Sequence, residues 1–429
     1  MPLHSRTGHT AAVHPRPSPA REARWRAHAL QDAVLLLDRY VERAGTGQAP
    51  GAGGHPSDPG VPVLARLVAD RGDPVATAAA SRATAVWART AGRGAGHPGL
   101  YDGGLAGTLV GLRQAATLHP ALHQVADRLA DRLPARILAG AARTTPGAVT
   151  FRDYDLILGP AGTLLALSSA APERHRVLVR LGRCLAALCA ADGLDGLRTH
   201  YPEHPQLGWL DGRINTGTGH GVAGVLTALA VAARQAEEGD ASAAPELAAA
   251  LRRTSRWLRG QSFVDARGIR SWDGAGPEAA PPGGARRRQA WCYGAPGVSW
   301  ALWDAGDTLR DPAVRDFAGA AFDTLAAGYD EDFHLFGDHL GDHLGDRLGL
   351  CHGAAGVLAV ADALHRHARL PSATALRARL LARLDAHRAG TRALGEERMG
   401  LLGGAGGTLS AVLTATGGAR DWLPCLGLR

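Results

Sequence analysis

Apolar and polar stretches alternate along this chain in a repeating order. A Gly-x-x-Gly element followed by a run of apolar residues occurs six times, and amphipathic segments lie between the runs. The six elements begin at Gly104, Gly159, Gly221, Gly294, Gly353 and Gly403. Their starts are 55, 62, 73, 59 and 50 residues apart, which is enough for two helices and their loops. The pattern predicts pairs of helices, one apolar all round and one amphipathic.

The segment after Pro120 illustrates the amphipathic half of a repeat. Its apolar residues recur three or four positions apart, the spacing of one helical face, and charged residues stand between them. The apolar positions are Leu122, Val125, Leu129 and Leu133. By contrast, the runs after the glycine motifs, such as TLLAL and VLAVA, are apolar on every face, which is typical of helices buried inside a protein.

Buried helices that alternate with amphipathic ones need an arrangement in which the second kind covers the first. A closed ring of inner helices inside an outer layer meets this need without leaving an exposed apolar edge. We therefore predict an all-α fold, a two-layer α/α toroid of six to seven helical hairpins whose inner helices start at the Gly-x-x-Gly motifs. The glycines allow close backbone approach there. They are not predicted to bind phosphate, because no strand pattern precedes them.

The region before the first motif extends the same architecture. Residues 22–44 and 62–92 have helical patterns separated by a Gly/Pro-rich stretch, and they are predicted to form a further, degenerate hairpin. Residues 1–21 lack the apolar segment of a secretory signal and are predicted to be a disordered tail. A single toroidal domain is thus assigned to residues 22–429, with its first glycine repeat from about residue 98.

Composition and charge narrow the class of protein. With 45% hydrophobic residues the 429-residue chain can bury a large core, and no apolar run approaches the roughly 20 residues of a membrane-spanning helix. The net charge is +7, and every basic residue counted is arginine, because the sequence contains no lysine. The densest basic cluster, residues 286–288, is too short for a nucleic-acid interface, so no nucleic-acid partner is expected.

Five scattered cysteines argue against a disulfide framework and indicate a reducing, cytoplasmic location.

Two of the cysteines stand at the same point of successive repeats, just before a glycine motif. Cys292 lies in WCYGAPG, and Cys351 with His352 lies in LCHGAAG. Equivalent loop ends of a toroid converge around its axis, so these residues are expected to lie close together. Two thiolates and one imidazole are typical Zn²⁺ donors, and a fourth, open position is typical of a catalytic zinc. On spacing alone, two buried structural cysteines and a helix-capping histidine remain the alternative.

A tandem duplication, GDHLGDHLGDRLG, occupies residues 337–349. Its Asp–His pairs are compatible with metal binding. Duplication within a surface loop explains the same pattern without a ligand, and this is the interpretation we favour.

The two cysteine motifs, the INTGTGHGVAG block and the six glycine motifs together resemble the LanC-like family of lanthipeptide cyclases over roughly residues 98–410. The resemblance implies an α/α toroid with one Zn²⁺ per chain, held by Cys292, Cys351 and His352. It also implies the reaction, a Michael addition of peptide cysteine thiols to dehydroalanine or dehydrobutyrine that closes lanthionine and methyllanthionine rings.

Four further residues are candidates for catalysis, and three of them match active-site positions of that family. His220 would transfer a proton, Arg288 would stabilise the enolate, and Asp155 matches the family's aspartate by its place four residues before a repeat glycine. The fourth, Tyr293, adjoins a zinc ligand. Without the resemblance, His220 would be interpreted as a structural histidine at a helix start and Asp155 as a helix N-cap. Arg288 is chosen over its two arginine neighbours because of its four-residue spacing from Cys292.

The resemblance also implies partners. The substrate would be a dehydrated precursor peptide, and a chain of this length leaves no room for a fused dehydratase, so a separate dehydratase is expected. A transporter complex would be a further partner and would associate the cytoplasmic protein peripherally with the membrane.

Three other functions remain open at this point. A zinc enzyme on the same toroid could add glutathione or another thiol to dehydroamino acids, or alkylate a thiol. A non-catalytic zinc-bearing toroid could bind peptides as a scaffold, but it would need only the zinc ligands and not His220 or Arg288. A glycosidase built on Asp102, Asp155 and Asp211 would leave the Cys/Cys/His set without a role.

Overall fold

The computed structural model describes residues 18–46, 55–93, 96–275, 289–331 and 347–429. Within these ranges the chain is mainly helical, as predicted. Its helices are α1 Pro19–Gly45, α2 Gly60–Arg71, α3 Pro74–Thr90, α4 Leu105–Ala116, α5 Leu122–Ala141, α6 Phe151–Tyr154, α7 Pro160–Ala170, α8 His175–Leu188, α9 Val222–Gly239, α10 Ala244–Gly260, α11 Ala295–Thr308, α12 Pro312–Gly328, α13 Ala354–His367, α14 Pro371–Ala386, α15 Arg388–Glu397 and α16 Ala405–Ala415. A small antiparallel hairpin of β1 (Phe263–Val264) and β2 (Arg270–Ser271) is the one sheet of the described ranges.

Seven helices form a closed inner ring. In the order α2, α4, α7, α9, α11, α13 and α16, each packs against the next, and α16 packs back against α2. Six of these helices have a glycine of the predicted motifs as the residue that precedes their first turn: Gly104, Gly159, Gly221, Gly294, Gly353 and Gly404. The two-layer toroid and the start points of its inner helices are therefore confirmed.

The seventh inner helix, α2, comes from the degenerate region and closes the ring. A side chain at Gly60 would place its Cβ 2.3 Å from the carbonyl oxygen of Met399, so only glycine permits this approach of the first repeat to the last. Asp58 ties the two ends further: its Oδ1 accepts the N–H groups of Gly60 (2.8 Å) and Leu401 (2.7 Å).

The predicted boundaries of this region need two corrections. Helix α1 begins at Pro19 with Ser18 as its N-cap, so residues 19–21 are helical and do not belong to a tail. The rest of that tail, residues 1–17, lies outside the described residues. The predicted helix 62–92 is two helices, because Asp73 caps α3 by accepting the N–H of Ala76 at 2.9 Å and Pro74 occupies its first turn.

The outer layer shows one shift from the predicted pattern. In α5 the buried positions are Ala126, Ala130, Leu133, Pro134 and Ile137. Leu133 was predicted to be buried, but Val125 is exposed. Small alanines let the outer helix approach the inner one closely, so packing selects a face rotated from the one that the leucines mark. None of the described helices is both long and apolar enough to cross a bilayer.

The end of the chain lies among the inner helices. The carbonyl oxygens of Cys425, Leu426 and Gly427 accept hydrogen bonds from Tyr101 Oη (2.7 Å), Trp291 Nε1 (2.8 Å) and Trp300 Nε1 (2.6 Å), respectively. The three aromatic donors are buried. Tyr101 precedes α4, whereas Trp300 lies in α11 and Trp291 just before it, so this segment joins two inner helices and contacts the residue that precedes Cys292.

Candidate metal centre and its histidine–aspartate pair

The three predicted zinc ligands lie together in front of two neighbouring inner helices. The donor atoms of Cys292, Cys351 and His352 are all within 4.8 Å of one another. Backbone contacts hold the two segments side by side, since the N–H of Cys292 points to the carbonyl of Cys351 at 3.4 Å. The repeat thus brings together residues that are 59 positions apart in the sequence.

The chemistry of this donor set fits a zinc ion. Two sulfurs and an imidazole nitrogen are donors that Zn²⁺ prefers, and three protein ligands leave one coordination position for a substrate. The hydrogen bond with Cys292, together with burial, raises the pKa of the Cys351 thiol well above its usual value. A divalent cation would lower this pKa again, because its positive charge compensates the charges of the thiolates. The described ranges contain no second group of three metal-binding side chains; residues 337–346 of the duplicated loop lie outside them.

A glycine-rich loop lies directly against the candidate metal centre. The N–H of Thr218 donates to the carbonyl oxygen of Cys292 at 2.8 Å. A Cβ at Gly217 would lie 2.6 Å from the same oxygen and 2.8 Å from the ring of Tyr293, so this position cannot hold a larger residue without a shift. The INTGTGHG segment therefore places His220 two residues from a backbone contact with the cluster, the one that Thr218 makes.

His220 forms a pair with Asp155. Nδ1 of His220 is 2.6 Å from Oδ2 of Asp155, whose side chain is fully buried. The other carboxylate oxygen accepts the N–H groups of Leu158 (2.7 Å) and Gly159 (2.8 Å). Burial raises the pKa of Asp155, and the hydrogen bond from His220 opposes this rise. The histidine side chain is 31% exposed, so the pair is anchored on one side and accessible on the other.

Asp155 is not the N-cap that the sequence alone suggested, because Gly159 occupies that position of α7 and no side chain caps the helix. Asp155 instead holds the turn before α7 through the N–H groups of Leu158 and Gly159, and it also hydrogen-bonds His220. A carboxylate partner at Nδ1 favours the tautomer that carries its proton on that nitrogen, which leaves Nε2 for proton exchange.

Tyr293 is linked to the same loop. Its hydroxyl oxygen accepts a hydrogen bond from Nδ2 of Asn215 at 2.9 Å, and Oδ1 of Asn215 accepts the N–H of Gly217 at 2.8 Å. Burial raises the pKa of the Tyr293 phenol, which keeps it protonated. Arg288, with its neighbours Arg286 and Arg287, lies outside the described residues.

Several residues around His220 were not predicted from the sequence. The ring of Phe151 stacks on the imidazole, with centroids 4.3 Å apart and planes 19° apart, and the Tyr154 hydroxyl donates to the carbonyl of His220 at 2.9 Å. The FRDYD run, separated from GPAG by three residues, was the available signal for both aromatic residues. Asn215 lies in the INTGTGHGVAG block, but nothing in the pattern singled it out.

The remaining cysteines lie apart from the cluster. All five cysteines are free thiols. Burial raises the pKa of Cys189 and Cys425 to about 12, as expected for inert packing residues.

A closed ring of helical hairpins that carries a Cys/Cys/His cluster in front of its inner helices defines a toroidal protein with a candidate zinc centre. The chain belongs to the lanthionine synthetase C-like family, whose model matches residues 70–425. The resemblance found in the motifs is thereby confirmed.

Among solved structures, nisin cyclase is similar, with a TM-score of 0.71 and 18% sequence identity over 92% of this chain and 96% of that chain. At this identity the likeness shows the fold. No curated protein matches the sequence.

Proposed function

We propose that the protein is a zinc-dependent cyclase that forms lanthionine and methyllanthionine rings in a dehydrated precursor peptide. One observation carries the proposal: a Cys/Cys/His cluster and a His–Asp pair lie on adjoining segments, joined where Thr218 bonds to Cys292. A scaffold that only bound zinc would not need the second group. Membership of the family and the likeness to nisin cyclase support this reaction class.

The reaction requires a thiolate and a proton. A free cysteine thiol has a pKa near 8.5 and is mostly protonated at neutral pH. Bound by Cys292, Cys351 and His352, Zn²⁺ would supply Lewis acidity that lowers the pKa of a thiol at its open position. The sulfur electron pair forms a C–S bond at Cβ of the dehydroamino acid, and the C=C electrons move towards the carbonyl oxygen. The thiol loses one proton and Cα gains one, so the overall addition is balanced.

His220 is the proposed proton carrier. Asp155 holds Nδ1, so proton exchange falls to Nε2. The protonated imidazole donates from Nε2 to Cα of the enolate, and the thiol proton restores the histidine. Because a fixed donor delivers the proton to one face of Cα, each ring is expected to form as a single diastereomer.

Arg288 and Tyr293 have supporting roles in this proposal. Arg288 would stabilise the enolate oxygen as a fixed cation. Tyr293 orders the glycine-rich loop through Asn215. The substrate comes from a separate dehydratase, and the cytoplasmic protein works beside a transporter complex.

Ring closure on a dehydrated precursor tests the proposal, with thiol loss followed by alkylation and mass spectrometry and with diastereomers separated after hydrolysis. The wild type is expected to accelerate closure and to give one diastereomer per ring. His220→Asn should retain zinc and peptide binding but lower the rate about 10²–10⁴-fold and give mixed diastereomers, because it removes a proton donor and not a ligand.

Three results would contradict the proposal or a part of it. Zinc and peptide binding without acceleration of closure would indicate a scaffold. Addition of an external thiol such as glutathione, in preference to the internal cysteine, would indicate a thiol-adding enzyme. Unchanged rate and stereochemistry in His220→Asn would remove His220 from the mechanism.

A further inference from the structure

The short helix α6 lies against His220. Its first residue, Phe151, stacks on the imidazole at 4.3 Å, and its last residue, Tyr154, donates to the His220 carbonyl. The residue after the helix, Asp155, binds Nδ1. Three residues within a run of five therefore contact the ring, the backbone and a ring nitrogen of one histidine.

The start of helix α6 is itself held in place by two sets of contacts. Asp153 and Thr150 form a capping box, in which Oδ2 of Asp153 accepts the Thr150 N–H at 2.8 Å. Tyr201 also contacts Phe151: its hydroxyl oxygen accepts the Phe151 N–H at 2.7 Å, and the two rings meet edge to face at 5.2 Å. Asp211 fixes Tyr201 in turn by accepting its N–H at 2.7 Å.

A single hydrogen bond does not determine the orientation of an imidazole. Rotation about the bond between Cβ and the ring is broad and weakly restricted, so a ring held only at Nδ1 can still tilt. A parallel aromatic ring at 4.3 Å removes that freedom, because tilting would bring the two rings into contact. Phe151 has no group that can bind or release a proton, so any effect it has on chemistry passes through His220.

We propose that Phe151 is a positioning residue for His220, and that Tyr201 holds Phe151 in the stacking position. The kinetic part of this inference rests on the proposed function, since it concerns the residue that would deliver a proton to Cα. The structural part does not, because the orientation of His220 can be measured without substrate.

The experiment compares Phe151→Leu with the wild-type full-length protein loaded with zinc. Leucine keeps an apolar side chain but removes the flat ring. We expect unchanged zinc content and circular dichroism, KM within about twofold, and a kcat lower by about ten- to a hundredfold, the size of effect that small misplacements of reacting groups produce. The product should contain more of the minor diastereomer, because a tilting donor reaches both faces of Cα.

Imidazole NMR supplies a readout that a merely structural role would not move. The Nδ1–H signal of His220 should be sharp in the wild type and broadened or lost in Phe151→Leu. Phe317→Leu is the matched control: this phenylalanine packs edge to face on Trp272, so its change removes an aromatic contact elsewhere. It should leave kcat, stereochemistry and the His220 signal unchanged.

Tyr201→Phe keeps the inference testable if Phe151→Leu does not fold. It removes only the oxygen that accepts the Phe151 N–H, and it should lower kcat and broaden the same signal to a smaller degree. A folded, zinc-loaded Phe151→Leu protein with wild-type kcat, diastereomer ratio and His220 signal would overturn the inference. If the wild type itself closes no rings, the proposed function fails, while the His220 signal still decides whether Phe151 orients the imidazole.

Discussion

Nδ1 of His220 lies 2.6 Å from Oδ2 of Asp155, although the two residues are 65 positions apart in the sequence. They belong to the starts of two neighbouring inner helices, α7 and α9, so the repeat architecture brings them together. The carboxylate is fully buried and the imidazole is partly exposed. This geometry leads to the first prediction.

Asp155→Asn should slow ring closure about 10²–10⁴-fold while zinc content and fold are retained. The amide oxygen can still accept the N–H groups of Leu158 and Gly159. The NH₂ group, however, donates to Nδ1 of His220 and so favours the histidine tautomer that carries its proton on Nε2. Rates of thiol loss measure the effect. Asp131→Asn, at an exposed aspartate of α5 that pairs with Arg174, is the control and should leave the rate unchanged.

Arg288→Ala should slow ring closure more than Arg286→Ala or Arg287→Ala does. The reason is the four-residue spacing of Arg288 from Cys292, which assigns it to the enolate. The three variants carry the same charge change, so each serves as a control for the others in one kinetic assay. Equal rates among them would contradict the assignment of Arg288.

The metal centre should hold one zinc per chain, and Cys351→Ala should lose it with the helical fold largely intact. The core is formed by packing of the inner and outer helices, and Cys292 and Cys351 are only two of its many residues, so the fold is expected to persist without the metal. Metal analysis gives the stoichiometry and circular dichroism the helix content, with Cys184→Ala as the control that keeps its zinc. Global unfolding of the metal-free protein would show that zinc supports the fold instead.

Asp58 should make stability depend on pH. Burial raises its pKa to about 6, against 3.8 for the ordinary side chain, and the Asp102 carboxylate adds to the rise. Tyr40 and Tyr101 are also near it. The folded state therefore binds the carboxyl proton of Asp58 more tightly than the unfolded state does. The stability that this proton contributes is present below pH 4 and is lost as the pH rises towards 6, by up to about 3 kcal/mol.

Asp58→Asn tests this dependence. The amide oxygen can still accept the N–H groups of Gly60 and Leu401, and no charge is buried above pH 6. Urea unfolding at several pH values between 4 and 8 should show the variant gaining stability relative to the wild type as the pH rises. Parallel curves for the two proteins would contradict the raised pKa.

Trp291→Phe should destabilise the protein by about 1–3 kcal/mol, because it leaves the buried carbonyl of Leu426 without its donor. The free energy of unfolding in urea measures this loss. Trp257→Phe is a suitable control, since Trp257 lies partly exposed on the outer helix α10 and its replacement should cost less. A loss no larger than that of the control would mean that the segment at Leu426 relaxes freely.

The fold could be predicted from the sequence because its signals are local. Six of the seven inner helices start at a glycine motif and are mainly apolar, so the element and its place in the repeat are both visible in one segment; α2 lacks the motif, and its boundaries were not predicted. The outer helices were less predictable. In α5 the buried face follows Ala126 and Ala130 and not Val125, because close packing against the inner ring favours small residues.

The candidate metal centre was also predictable, for the same reason. Cys292 and Cys351 occupy one register position of successive repeats, so closing the ring is enough to bring them together. The pairing of His220 with Asp155 is different, because Asp155 lies four residues before its repeat glycine and His220 only one residue before its own. The surroundings of His220 do not follow from register either: Tyr201 comes from the irregular segment between α8 and α9, where no periodicity relates a residue to its neighbours in space.

By itself, the sequence determined the helical hairpins, their closure into a toroid and the convergence of two cysteines and a histidine, because burial of periodic apolar faces leaves few other arrangements. The tertiary structure alone decided that Phe151 stacks on His220, that Asp58 joins the first repeat to the last, and that the segment at Leu426 lies among the inner helices. These contacts join parts of the chain with no common register, and they depend on the shapes and hydrogen-bonding groups that meet once the ring has closed.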